Sequence, residues 1–146
     1  MFSKILVPVD IDYPDIAAQV YRKAAAIAQL SGAQIRLVTV MPGFSMPIVA
    51  SLVPEEVQKK AVDHVKAVMA KFISDNCDAT VTYSIRVGKN WEEIIDVAEK
   101  WGADLIIVYH NRHREINEVF SKSCSHRVAD NAKCSVLWLR NVRSSN

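Results

Sequence analysis

Two short segments, far apart in the chain, are apolar at almost every position. Lys4–Val9 has the sequence KILVPV and Asp104–Tyr109 the sequence DLIIVY, with β-branched residues in both. An uninterrupted apolar run of this length is typical of a strand buried on both faces, whereas a strand with one wet face alternates. Because both faces of a strand are covered when helices pack on each side of a parallel sheet, these segments favour an α/β protein.

The rest of the chain alternates between strand and helix patterns. Further strands are predicted at Gln34–Val40, Thr80–Val87 and Ser135–Arg140. Stripes spaced by three or four residues predict four helices between the strands: Ile16, Val20, Ala24 and Ile27; Val57, Ala61, Val65, Val68 and Phe72; Ile94, Val97, Ala98 and Trp101; Ile116, Phe120, Cys124, Val128 and Ala132. The resulting order predicts a single doubly wound α/β domain at residues 1–141 and a polar tail at 142–146.

Local signals mark some helix ends. Pro54-Glu55-Glu56 suits the first turn of the second helix, and Asn90 with Glu93 predicts an N-cap pair for the third. Gly102 is expected to end the third helix, because glycine adopts the left-handed conformation found there. The last helix is predicted from about Asn117 to Ala132.

The composition argues against several classes of protein. The net charge of +2 is too small to indicate nucleic-acid or membrane binding, and no apolar run approaches the ~20 residues that span a bilayer. The first residues lack a signal-peptide pattern, so we expect a cytoplasmic protein. Cys77, Cys124 and Cys134 have no C-x-x-C spacing and should be reduced, with Cys124 and Cys134 buried.

Asp10 stands where a ligand is expected. In open parallel sheets, ligands occupy the crevice outside the carboxyl ends of the strands, at the point where the strand order reverses. A carboxylate there could accept hydrogen bonds from a ribose hydroxyl or a base amine, or Asp10 could serve only to cap a helix or start a turn. The chain has no G-x-G-x-x-G, G-x-x-x-x-G-K-[ST] or G-x-S-x-G sequence, which argues against a dinucleotide fingerprint, a P-loop and a nucleophile elbow.

The C-terminal part carries excess positive charge. From Tyr109 to Arg143 there are seven Lys or Arg and three Asp or Glu, a net +4. A basic loop before a helix N-terminus suits an anion, and an ordinary solvated surface explains the charge equally well. His110 and His113 have a spacing compatible with metal, but no nearby Cys, Asp or Glu completes a set, so we interpret them and His126 as solvated, and predict no metal or catalytic residue.

The loop after the second strand, Met41–Val49, is too apolar for an ordinary exposed connection. It could cover the crevice as a lid, or it could contact a partner protein.

Taken in order, several segments resemble the universal stress protein family. They are Lys4–Asp10 (KILVPVD), a second strand ending in Val40, Gly88 before a helix, Ala103–Val108 (ADLIIV) and Ala132–Arg140 (AKCSVLWLR). The likeness runs from about Ser3 to Arg140 and implies a five-stranded parallel sheet of order 3-2-1-4-5. It also implies a homodimer formed through the last strand, here Val136–Arg140.

Many members of that family bind ATP, using an Asp after the first strand, main chain at the end of the second, and a G-x2-G-x9-G-[ST] loop. Asp10 and Val40 match the first two elements. The three glycine positions of the loop instead carry Tyr109, Arg112 and Lys122, whose side chains should crowd the phosphate cradle unless the two cations meet phosphate directly. The resemblance thus implies a site for ATP or another adenine nucleotide at Pro8, Val9, Asp10, Val40, Tyr109, Arg112, Lys122 and Ser123.

Two functions follow from this resemblance. The first is a dimeric, non-enzymatic stress-response protein with an altered nucleotide site, which acts through a regulatory protein partner, for instance at Met41–Val49. The alternative is an ATP- or AMP-binding switch. A slow ATPase is a weaker form of that alternative, because no general base or set of metal-binding carboxylates is evident beyond Asp10 and Asp12.

Overall fold

The computed structural model describes residues 1–41, 52–110 and 122–140. Strands and helices alternate along these segments in the order β1 (Lys4–Pro8), α1 (Pro14–Gln29), β2 (Gln34–Met41), α2 (Glu55–Asn76), β3 (Thr82–Val87), α3 (Asn90–Trp101), β4 (Leu105–His110), α4 (Lys122–Asn131) and β5 (Ser135–Arg140). The predicted end of the domain at residue 141, the tail and most of the 41–49 loop lie outside the described residues.

The five strands form one parallel sheet of order β3-β2-β1-β4-β5, which confirms the expected fold class and strand order. β1 is central: Ile5 pairs with Ile35 of β2 on one side and with Leu105 of β4 on the other. The chain builds outward from β1 to β3 and then crosses back to β4. The strand order therefore reverses between β1 and β4, immediately beside Asp10.

Successive residues of the central strands face two different apolar layers. Ile5 and Val7 of β1 pack with α1 and α2, whereas Leu6 packs with α3 and α4. In β4, Ile107 faces the first layer and Ile106 the second. This two-sided burial explains why both strands are apolar without alternation.

Asp104 fastens the start of the chain at the amino ends of the strands. Its carboxylate accepts the main-chain N–H groups of Ser3 (2.8 Å) and Lys4 (2.9 Å). The Lys4 ammonium donates to the Trp101 carbonyl (3.0 Å) and lies over the Trp101 ring. These contacts hold the beginning of β1 against the end of α3.

Two sequence predictions about helices are wrong in detail. Asn90 is the first residue of α3 rather than its N-cap, which is Lys89, and the Lys89 side chain makes no capping hydrogen bond. On α2 the buried stripe is Val65, Met69 and Phe72, whereas Val57 is 51% exposed. At 22 residues α2 is about 33 Å long, while a six-residue strand such as β3 spans about 20 Å, so the sheet cannot cover the whole helix.

Other predictions are confirmed or adjusted. Gly102 ends α3 in the left-handed conformation (φ 81°), as expected. Cys124 is buried but Cys134 is only half-buried, because it precedes β5 at an edge of the sheet. The described part of α4 begins at Lys122, so its predicted start near residue 117 lies outside the described residues. Within residues 1–41, 52–110 and 122–140, no helix combines the length and apolar character that a membrane crossing requires.

Candidate functional site

The carboxyl ends of β1 and β4 meet where the strand order reverses, and Asp10 lies at that point. Its side chain is only 6% exposed, although it follows the last residue of β1 by two positions. Burial raises the pKa of the Asp10 carboxyl; the hydrogen bond from the Asp12 N–H opposes this shift, and the negative charge of Asp12 adds to it. A buried carboxylate costs free energy unless it is paired, and Asp10 bears this cost at the edge of the sheet where ligands bind in proteins of this architecture.

Asp10 also shapes the local turn, as one of the two interpretations of the sequence predicts. Its Oδ1 atom accepts the Asp12 N–H at 2.8 Å, and its carbonyl accepts the Tyr13 N–H at 3.1 Å. α1 then begins at Pro14, which suits a first helical turn because it has no N–H to satisfy. Oδ1 is therefore the carboxylate oxygen that holds the turn.

Pro8 and Val9 directly precede Asp10, and Val40 lies at the same end of the neighbouring strand; Val9 faces the layer of α1 and α2, and Val40 the opposite layer. All three are buried, and the Val9 N–H donates to the Val38 carbonyl at 2.9 Å, so β1 stays attached to β2 up to the crevice. Val40 lies one residue before the end of β2 and faces the layer of α3 and α4. The structure thus brings these predicted residues together at the carboxyl ends of the strands.

The turn after β3 reaches the same end of the sheet through Gly88. Its N–H donates to the Met41 carbonyl at 3.1 Å, and its φ of +152° is a conformation that residues with side chains rarely adopt. A Cβ atom at this position would lie 3.0 Å from Cγ of Glu93. Gly88 therefore allows the first turn of α3 to approach the ends of β2 and β3.

Arg86, which pairs with Val40 across the sheet, anchors α3 to this end of the sheet. Its guanidinium lies 2.9 Å from the Asp96 carboxylate and 3.4 Å from that of Glu93. Glu93, predicted as part of a helix cap, belongs instead to this ion-pair network. No short-range pattern identifies such a pairing, because it joins a strand to a helix face.

Tyr109 and His110 both belong to β4, so the prediction of His110 as a solvated loop histidine is wrong. Tyr109 is 3% exposed and its side chain packs in the layer of α1 and α2. His110 is 6% exposed on the opposite face, with its ring edge toward Trp138 (centroids 6.2 Å apart, 74° between planes). Both residues continue the strand because β5 pairs with β4 as far as His110 and Arg140.

The remaining predicted residues are only partly described. Arg112 and His113 lie outside the described residues. Lys122 is the first described residue of α4, and Ser123, exposed in the same turn, follows it. Their role toward phosphate, like the role of the whole set of site residues, stays a prediction.

Trp138 lies in contact with a histidine and an arginine side chain, a cluster that the sequence pattern did not predict. His126 of α4 meets its ring edge-on at 4.7 Å, and the guanidinium of Arg140 lies 5.4 Å from its centroid. The nearby segment of α4 also contains Ser125, which is fully buried. Within the described part of the chain, Ser125 Oγ and Trp138 Nε1 have no hydrogen-bond partner.

Comparison with known proteins gives consistent similarities. The model of the universal stress protein family matches residues 1–140. A universal stress protein of Synechocystis sp. is 27% identical, with 93% of this chain and 96% of that protein covered. The solved structure of the universal stress protein UspA from Lactobacillus plantarum is 26% identical with a TM-score of 0.68, covering 94% of this chain and 97% of that one.

A third similarity concerns a structure with a nucleotide. The structure of the universal stress protein from Archaeoglobus fulgidus in complex with dAMP is 19% identical to this chain, with a TM-score of 0.58. The similarity covers 93% of this chain and 96% of the Archaeoglobus fulgidus chain. At this identity the likeness shows a shared fold.

Proposed function

Because the chain belongs to the universal stress protein family, we propose that it is a dimeric, non-enzymatic stress-response protein whose altered site binds an adenine nucleotide with one phosphate. Asp10 carries this proposal: a buried carboxylate with a raised pKa stands at the switch point of the sheet. A ribose hydroxyl or a base amine donates to such an acceptor and compensates its burial.

Preference for one phosphate follows from the chemistry of the loop. Glycines allow the main chain to approach several phosphates closely, and here the three glycine positions carry Tyr109, Arg112 and Lys122. A nucleoside monophosphate needs less of that cradle than ATP, and its single phosphate suits a basic side chain and a helix start. The dAMP complex of the Archaeoglobus fulgidus protein, which shares the fold, supports the choice of ligand.

Calorimetric titration with AMP and with ATP plus magnesium tests the proposal. We expect one AMP per chain and weaker binding of ATP. Asp10→Asn removes a charge-assisted hydrogen bond worth about 1.5–3 kcal/mol and should weaken AMP binding roughly 10- to 100-fold. Asp15→Asn, which alters an exposed carboxylate in the first turn of α1, is the matched control and should bind AMP normally. Equal AMP affinity of Asp10→Asn and the native protein would show that the site is elsewhere.

The dimer is proposed through β5, whose outer edge is unpaired in the described sheet. Its four central residues, Val136–Leu139, are half-buried apolar side chains, and an exposed apolar edge favours pairing with a second copy. Light scattering at micromolar concentration should give twice the monomer mass. A monomer at that concentration would remove this part of the proposal.

A regulatory protein partner at Met41–Val49 and action in the cytoplasm belong to the same proposal and rest on the sequence alone.

A further inference from the structure

A second cavity lies at the opposite end of the strands from Asp10. It has a volume of about 360 Å³ and opens between the end of α3, the end of α4 and the two residues that precede β5. Its size falls within the range of roughly 300–1,000 Å³ that is usual for small-molecule sites. The space exists because the residues around it are small, namely Ala98, Gly102, Ala103 and Ala132, and Ile106 adds an apolar wall.

One carboxylate and two helix ends contribute negative charge to this cavity. Glu99 lies at its rim, and α3 and α4 both end beside it, so the negative ends of two helix dipoles point toward it. Burial raises the pKa of the Cys134 thiol in the cavity wall, and the negative charge of Asp104 raises it further. Lys133 opposes these charges, since its ammonium lies 3.4 Å from the Glu99 carboxylate.

That ammonium is easily replaced. The Lys133 side chain is 83% exposed and that of Glu99 is 43% exposed, and exposed ion pairs contribute little to stability. A ligand amine could therefore take the place of Lys133 at Glu99, while the lysine returns to water. The surface continues from Glu99 into a shallower recess that contains Glu92 and Asp96, of which Asp96 is already paired with Arg86 and Lys100.

We propose that this cavity binds a small organic cation, a primary amine attached to an aromatic or branched apolar group. The apolar group occupies the space between Ala98, Ala132 and Ile106, and the ammonium pairs with Glu99. This binding does not depend on the nucleotide site, which lies at the other ends of the strands.

The first experiment uses Cys134 as a reporter. The native protein is treated with iodoacetamide at neutral pH in the presence of 2-phenylethylamine, and alkylation of each cysteine is followed by peptide mass spectrometry. The amine should slow alkylation of Cys134 several-fold and leave Cys77, at the end of α2, unchanged. The neutral analogue 2-phenylethanol and the anion 3-phenylpropionate should protect Cys134 much less. Absent protection, or equal protection by all three compounds, overturns the proposal.

Three variants test the assigned contacts by chemical-shift titration with the same amine. Glu99→Gln should weaken binding about two- to fivefold, because the charged acceptor is lost and an exposed ion pair contributes at most about 1 kcal/mol. Lys133→Gln should strengthen binding, because the competing ammonium is removed. Ala132→Phe, just after α4, should abolish binding by filling the cavity, whereas Ala129→Phe, at an exposed position within α4, should not. If Glu99→Gln and Ala132→Phe each fold normally and each bind the amine with the affinity of the native protein, the proposed site is wrong.

Discussion

Replacing Tyr109 by glycine restores the residue that the family loop has at this position, and we expect it to damage the fold instead of repairing the site. The Tyr109 side chain is 3% exposed within β4 and packs in the layer of α1 and α2. Truncating a buried aromatic residue costs about 3–5 kcal/mol, and glycine inside a strand costs about 0.5–1 kcal/mol more than alanine. The expected loss is therefore about 3.5–6 kcal/mol, a large share of the ~5–15 kcal/mol that stabilises an ordinary domain.

Urea denaturation followed by circular dichroism measures this loss. For a chain of this size, the same change should lower Tm by roughly 10–20 °C. Tyr83 provides the matched control, because it also lies in a strand but is 36% exposed on the outer strand β3. Tyr83→Gly should cost about 1–2 kcal/mol. If the two variants lose the same free energy of unfolding within about 1 kcal/mol, the burial of the Tyr109 side chain does not stabilise the fold as argued.

Three further outcomes follow from other residues. Burial raises the pKa of Asp10, so the folded protein binds the Asp10 proton more tightly than the unfolded chain does. Ionisation of Asp10 therefore lowers the stability of the fold at every pH above the raised pKa. Below the ordinary value of 3.8 the group is protonated in both states and the effect disappears. Asp10→Asn should accordingly raise Tm at neutral pH and leave it unchanged in strong acid; a lower Tm at neutral pH would contradict this sign. Gly88→Ala should cost about 1–3 kcal/mol in urea denaturation, more than Gly32→Ala, where a Cβ meets no atom within 4 Å. Asp104→Ala should speed amide hydrogen exchange of Ser3 and Lys4, whose N–H groups it accepts, and exchange rates equal to those of the native protein would refute that role.

The fold could be predicted because its determinants are local. The unbroken apolar runs of β1 and β4 and the three- to four-residue stripes of α1 and α3 each reflect burial on a known face, and Gly102 marks a helix end for a conformational reason. Prediction failed where packing or pairing between elements distant in sequence determines the structure. Val57 has helical spacing but is exposed on a helix too long for the sheet to cover, and His110 resembles a polar loop residue but continues β4 because β5 pairs with it.

The candidate site divides in the same way. Asp10 was predictable as a candidate, because a carboxylate that directly follows a buried strand usually serves a turn or a ligand, and its bond to the Asp12 N–H shows the turn. The contacts of Arg86 with Glu93 and Asp96, and of His126 with Trp138, join elements whose spacing the sequence does not encode. The cavity beside Cys134 was not predictable, because small residues such as Ala98 and Ala132 suggest packing rather than space.

The central position of β1 has a consequence for the order in which the protein is made. During synthesis β1 is made before the other strands. β4, its second neighbour in the sheet, begins only at Leu105, so one edge of β1 stays unpaired while more than half of the chain is synthesised. Pairings this distant in sequence raise the contact order and slow folding. Until β4 has been made, the N–H and C=O groups along that edge of β1 lack the partner strand that they have in the folded sheet.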